Sequence, residues 1–398
     1  MRSWQITTRW LLGSQFAARA LGLVNNVLLA RLLAPASYGD FTQAMALAGS
    51  LIPLADGGVS AIVTRHTARR PRAYIVLEAS IGLRIVQSLL LWGATTGAAW
   101  WILDYTRIRT ALALAGGYWA VACALQLLAG VARARLQAHL ETRAVLLERV
   151  ATVLLAGVGA WQWGLVGALG GVLAGGSVAL AFYLRALPLP RGRFSGRMWK
   201  RLLALGAPLA VADLCHGVIM RLDLLAIGMR YGSHNAGWYG GASALLWASN
   251  LVAGSMALAL VPVAAAREEE TQHLSVRVLR RMLLTALPLA AALSMGAELW
   301  VRLLYGAAYA PTADVLRMLA WCLVPASVVA WGNAVLLVRR QTVKVGIVAV
   351  GGLTCLAYCL YWWLPLGLIG ASYAQLATQC GMAIGLWWFT KRTKAVAP

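Results

Sequence analysis

Gly164-Leu165-Val166-Gly167-Ala168 returns 203 residues later as Gly367-Leu368-Ile369-Gly370-Ala371. A second pair, Tyr38-Gly39-Asp40-Phe41 and Ala236-Gly237-Trp238-Tyr239, lies at the similar offset of 198. The apolar stretches that follow each also align. Order and spacing agree along the whole chain, so its halves read as diverged copies of one multi-helix unit. This reading predicts an N-terminal lobe over 1–190, a linker over 191–201 and a C-terminal lobe over 202–398. In a bilayer, a duplication of this kind sets two bundles on either side of a pathway.

Composition agrees with a membrane setting. Of 398 residues, 61% are hydrophobic and 12% charged, and mean hydropathy is +0.71. A soluble chain carries about 25% charged residues. Apolar stretches of about 20 residues, long enough to cross a bilayer as helices, recur from end to end. About twelve such spans are predicted, at 10–33, 41–63, 75–103, 111–131, 146–163, 165–187, 202–229, 237–264, 282–304, 315–338, 345–363 and 366–389. No soluble domain is visible between them, and the first span is too long for a cleavable signal.

The net charge of +22 follows topology. Arg and Lys fill alternate loops, as with Arg69, Arg70 and Arg72, Arg133 to Arg149, Arg185 to Arg201, Arg277 to Arg281, and Arg339 to Lys344. The opposite loops hold little beyond Arg107, Arg109 and Arg230. The positive-inside rule then places both termini in the cytoplasm. No basic helix face with interleaved aromatics appears, which excludes nucleic acid as the partner. Tryptophan pairs such as Trp100-Trp101 and Trp387-Trp388 suit the headgroup level. The six cysteines lie in apolar segments without zinc spacing, so they read as packing residues, and no metal or other cofactor is expected.

An ionisable residue inside a span costs a few kcal/mol and needs a reason. The first span holds Arg19 and Arg31, the second Asp56 before Gly57-Gly58, and the third Glu78 and Arg84. The seventh holds Asp213, His216, Arg221 and Asp223. The first and seventh spans are equivalent in the repeat. Facing each other, they would present Arg19 and Arg221 to an anion, and guanidinium suits phosphate in bidentate fashion. Asp56, Asp213, His216 and Asp223 are candidates for ion coupling or for releasing that anion. Internal pairing is the competing account for each of them. Arg31 and Arg84 have the further option of snorkelling to headgroups, and Glu298 and Arg302 form an i,i+4 pair of structural type. No catalytic constellation or phosphate-binding Gly-rich loop appears, so the chain reads as a transporter driven by a gradient rather than an enzyme.

Several stretches carry a family resemblance. Leu29-Ala30-Arg31-Leu32-Leu33-Ala34-Pro35-Ala36-Ser37-Tyr38-Gly39-Asp40-Phe41 and Leu54-Ala55-Asp56-Gly57-Gly58-Val59-Ser60 resemble the first two helices of Wzx-type polysaccharide flippases. Arg221-Leu222-Asp223-Leu224 with Ala236-Gly237-Trp238-Tyr239 is similar to the opening of their second half, and Leu303-Leu304-Tyr305-Gly306 to their ninth-to-tenth helix turn. These proteins belong to the multidrug/oligosaccharidyl-lipid/polysaccharide exporter superfamily. The resemblance implies an all-α integral membrane protein with two pseudo-symmetric six-helix lobes in a V. It implies alternating access that carries an undecaprenyl-pyrophosphate-linked oligosaccharide, for O-antigen or exopolysaccharide, across the bacterial cytoplasmic membrane. Membrane lipids, a polysaccharide polymerase and glycosyltransferases would be its partners. Arg19, Arg31 and Arg221 match the family's cationic cavity. The span count leads to the expectation that the two extra C-terminal helices usual in lipid II flippases are missing here. The competing expectation is an ion-coupled multidrug antiporter of the same superfamily.

Overall fold

A computed structural model describes residues 2–69, 74–102, 106–135, 137–190, 195–250, 271–339 and 341–392. The rest of the expected eighth span, with Pro262, and the loop residues Arg70, Arg72, Arg191 and Arg193 lie outside the described residues. Among the described residues every regular element is helical. The helices are α1 (Arg2–Ser50), α2 (Ile52–Asp56), α3 (Val59–Arg69), α4 (Tyr74–Ile102), α5 (Thr106–Ala134), α6 (Ala138–Ala186) and α7 (Gly196–Ile219). Then come α8 (Leu222–Ser249), α9 (Thr271–Met295), α10 (Ala297–Leu304), α11 (Thr312–Leu319), α12 (Leu323–Val338), α13 (Thr342–Trp363) and α14 (Leu368–Arg392). Among the described residues, seven helical stretches are long and apolar enough to cross a membrane, eight when the bent α7 is included. The chain is a multi-pass, all-α membrane protein.

Two of those stretches are double. A straight helix of 49 residues, the length of α1 and of α6, would run about 74 Å, over twice the ~30 Å hydrocarbon core. Each is broken where the backbone leaves helical space: Ala34 at φ 60°, ψ 165° and Gly164 at φ 59°, ψ −134°. The second half has counterparts at the offsets seen in the sequence. Gly232 breaks α8 at φ 81°, ψ 173°, and Gly367 precedes α14 at φ 79°, ψ −149°. The repeat is thus written in the backbone: 34 pairs with 232, and 164 with 367.

Packing repeats as well. The limbs of α6 fold back on each other with almost nothing between them. A Cβ at Gly159 would strike the Gly167 carbonyl, one at Gly171 the backbone of Ala156, and one at Gly175 the Thr152 backbone at 2.7 Å. Residue numbers rise on one limb as they fall on the other, the mark of an antiparallel hairpin. Glycine at 167, 171 and 175 makes one small-residue seam that lets the helices close. In the second half α13 and α14 meet likewise, with Gly352 against Met382 and Gly385 against Val348.

The described residues form two compact units, 1–217 and 218–398. In the first, Val59, Val63, Leu77, Leu83, Leu127, Val131 and Leu202 form an apolar cluster. The Trp199 indole donates to the Ala79 carbonyl at 2.9 Å and fixes α7 against α4. In the second, Met282, Trp331, Ala334 and Val335 cluster, and Trp331 donates to the Ser275 carbonyl at 2.8 Å.

Three of the expected spans are interrupted, the ninth at Gly296 between α9 and α10. The second is interrupted after Asp56, because Gly57 (φ 56°) and Gly58 (φ 70°) both take the left-handed region, which glycine enters without a Cβ penalty. The seventh is bent by 58° between its parts 196–207 and 209–219, at Pro208, which has no N–H for the helical ladder. A turn at Met220 and Arg221 then separates it from α8.

Candidate functional site

The break in the second span has a charge at its lip. Asp56 ends α2, and its carboxylate accepts from Arg84 Nη2 on α4 and from Ser60 Oγ on α3, the latter at 2.5 Å. The Ser60 amide completes the set at 3.4 Å, and Arg84 Nη2 also donates to Ser60 Oγ at 2.8 Å. The Arg84 side chain is 3% exposed and that of Asp56 14%. Arg84 therefore does not snorkel to headgroups: it is drawn inward to the carboxylate. A charge this deep survives by being paired and hydrogen-bonded. Non-helical backbone at membrane depth occurs where protein buries it or where it lines a wet cavity.

The break is held from the other side by backbone. A Cβ at Gly58 would lie 2.5 Å from the Gly206 carbonyl oxygen, and one at Gly206 would strike the Gly57 carbonyl. The interrupted second span thus touches α7 just before its bend. One turn beyond the bend α7 carries Asp213 and His216, both exposed. Asp213 lies within Coulomb reach of Asp56.

Arg19 sits mid-way along the first limb of α1 and is half-buried. It has no ion-pair or hydrogen-bond partner among the described residues. Arg31 is exposed, three residues before the Ala34 break. The first unit therefore holds Arg19, Arg31, Asp56, Asp213 and His216, while Arg221 and Asp223 belong to the second. Arg221 is half-buried at the N-cap of α8. Asp223 is 5% exposed; it accepts from the Tyr239 hydroxyl at 2.6 Å and from the Leu224 amide at 2.8 Å. These contacts tie it to its own helix, α8, within the second unit.

Sequence reasoning missed three participants. Ser60 stands four residues after Asp56, across the glycine pair, and a continuous helix gives no cue that it bridges to α4. Tyr239 was legible only as a repeat position, the counterpart of Phe41. Arg317 binds Glu298 and, at 2.8 Å, Asp314; the expected Glu298–Arg302 pair is replaced because the turn between α10 and α11 brings Arg317 closer.

Residues 7–268 match the model of one family, described as polysaccharide biosynthesis protein. The chain belongs to that family. No curated protein matches it by sequence. Among solved structures, it is similar to lipid II flippase MurJ in an inward closed conformation, with TM-score 0.83 and 13% identity over 96% of this chain and 87% of that one. It is also similar to an inward-facing multidrug resistance MATE family transporter of the MOP superfamily, with TM-score 0.66 and 18% identity over 97% and 96%. A MOP superfamily transporter from Pyrococcus furiosus aligns with TM-score 0.69 and 17% identity over 97% of this chain and 96% of that one. At such identities the likeness is one of fold: this polysaccharide biosynthesis family member has the fold of MOP-superfamily transporters.

Proposed function

We propose that this polysaccharide biosynthesis family member is a flippase. It moves an undecaprenyl-pyrophosphate-linked oligosaccharide from the inner to the outer leaflet of the bacterial cytoplasmic membrane by alternating access, with both termini in the cytoplasm. One observation carries the reading. Arg19 is half-buried in the middle of a spanning helix, with no partner among the described residues. Guanidinium cannot lose its proton there, so it needs an anion or water within reach. A pyrophosphate headgroup supplies that anion, and family membership supplies the glycan. Arg221 serves as the second cation and Arg31 as an outer contact. Asp56, held by Arg84, and Asp213 near it are the acids that compete with the pyrophosphate and favour its release. O-antigen or exopolysaccharide is the end product, and the glycosyltransferases that build the glycan and the polymerase that extends it are partners.

The test is export. The double variant Arg19→Ala/Arg221→Ala should insert and accumulate normally, yet leave lipid-linked glycan in the inner leaflet. Normal surface glycan from that variant would overturn the assignment. The multidrug antiporter reading draws on Asp56 and Asp213, which suit a cationic cargo. It predicts raised drug tolerance on expression, and no change in surface polysaccharide on deletion.

A further inference from the structure

The glycine seam of α6 stops at Gly175 and Gly176, and residues 177–186 contain no glycine. Beyond the seam an open groove of about 470 Å³ runs between the two limbs, within the roughly 300–1,000 Å³ typical of ligand sites. Leu147 of the first limb walls it on one side, and Val178, Ala181, Phe182, Arg185 and Ala186 of the second on the other. All but Arg185 are apolar. Leu147 and Val178 are each 38% exposed, so the groove opens to the surroundings of the helices and not into the buried cluster around Tyr183.

Arg185 stands exposed in the last turn of α6. It has no ion-pair or hydrogen-bond partner among the described residues. Arg143 lies one turn before Leu147 on the first limb, likewise exposed and without such a partner. Ala144 and Tyr183 share the buried cluster. They carry on the antiparallel register of Thr152 with Gly175, which sets Arg143 within a turn of the level of Arg185. The carboxylates of this stretch are turned away. Glu141 is 4% exposed and paired with Arg133, and Glu148 accepts from the Tyr118 hydroxyl of α5 at 3.3 Å. The groove thus has apolar walls and, at one end, two guanidinium groups that no carboxylate among the described residues answers.

We propose that this groove between the limbs of α6 seats an anionic phospholipid. An acyl chain lies between Leu147, Val178 and Phe182, and the phosphate meets Arg185, with Arg143 beside it. Basic pockets between spanning helices on the cytoplasmic side take anionic headgroups in this way. The positive-inside rule, which puts this end of α6 in the cytoplasm, accounts for the sign of the two charges. It does not account for a groove between the limbs that carry them. A free anion would meet Arg185 and leave the apolar walls uncovered, so the walls favour a lipid. The seat lies entirely in the first unit and depends on the membrane setting, not on the identity of the cargo.

The experiment is native mass spectrometry of the full chain taken from bilayers of equal phosphatidylglycerol and phosphatidylcholine. The wild type should retain phosphatidylglycerol in preference to phosphatidylcholine. Arg143→Gln/Arg185→Gln should weaken that retention about thirtyfold, the combined effect of two basic residues near an anionic surface, and Arg143→Lys/Arg185→Lys should keep it. Ala181→Phe, which fills the groove and leaves both cations in place, should weaken it as well. Arg277→Gln/Arg280→Gln, the same loss of charge on α9, should not. The proposal is overturned if the wild type holds both lipids equally, or if either groove variant retains phosphatidylglycerol as the wild type does. It is also overturned if the α9 control loses as much, or if inorganic phosphate displaces the lipid. Should Arg143→Gln/Arg185→Gln melt early, Ala181→Phe, at an exposed position, decides by the same retention.

Discussion

Arg84 shows how a single side chain changes meaning between sequence and structure. Read along the chain, it is one guanidinium near the end of a span, with headgroups in reach. In three dimensions the break after Asp56 brings the carboxylate, Ser60 Oγ and Arg84 together. Arg84→Met would strand a half-buried carboxylate, at a cost of up to about 3–5 kcal/mol, the figure for a fully buried pair. Thermal unfolding in detergent should show that loss, and Asp56→Asn/Arg84→Met, which removes both charges, should recover part of it. An unchanged melting temperature for the single variant would mean the pair holds nothing. Ala34 carries the opposite prediction. Its φ of 60° with ψ 165° lies in a region that is essentially glycine's own, at a cost of about 1–3 kcal/mol for other residues. Its repeat partner, Gly232, is already glycine. Ala34→Gly should therefore raise the melting temperature, and a fall would contradict the strain.

At the scale of the element, the glycine-rich α6 hairpin makes the sharpest forecast. Gly175 has the Thr152 backbone 2.7 Å from where a Cβ would sit, whereas Gly170, on the same limb, has nothing within 4 Å. Gly175→Val forces the limbs apart, with an overpacking cost of about 1–3 kcal/mol or more; Gly170→Ala should be within about 1 kcal/mol of wild type and, by helix propensity, on the stable side. Unfolding midpoints of the two variants check this directly, and equal midpoints would refute the seam. The crowding of glycine at 164, 167, 170, 171, 175 and 176 made close packing legible in the sequence. Which glycines face the partner limb was not, because the break at Gly164 resets the helical phase. The interruption in the second span was hidden for a related reason: hydropathy averages over a window and passes across Gly57-Gly58 without registering a change of direction. The bend in the seventh was legible, because Pro208 lies within the span and breaks the helical ladder.

For the whole molecule, the duplication was the most legible feature, and the backbone repeats it at positions the residues alone did not mark. Ala34 and Gly232 share no identity, yet both break their helices at the same offset as Tyr38 and Ala236. Charge position was read well and charge partnership poorly. Arg19, Asp56 and Asp223 all lie in helices, as expected, but only coordinates separate an Arg19 with no partner among the described residues from an Asp223 tied to Tyr239. Sidedness gives a prediction at this scale. Cysteines placed at His139, Lys200 and Lys344 should react with an impermeant thiol reagent from one face of the membrane, and a cysteine at Trp161 from the other. Mixed labelling within the first set would break the topology from which the direction of transport is argued.

The bare contact of Gly57 and Gly58 with Gly206 has a mechanical corollary. Main chain pressed on main chain, without the cushion of rotatable side chains, slides or parts but does not deform gradually. The α6 limbs share that intimacy along several turns and should behave as a stiff spar. The fractured second span meets α7 through Gly57 and Gly58 on Gly206 and through Val59 and Val63 against Leu202, and that shorter junction should yield before the spar does. Bulk introduced there should slow turnover more than it weakens the fold, as a pin driven through a knuckle stops the joint while leaving the bones whole.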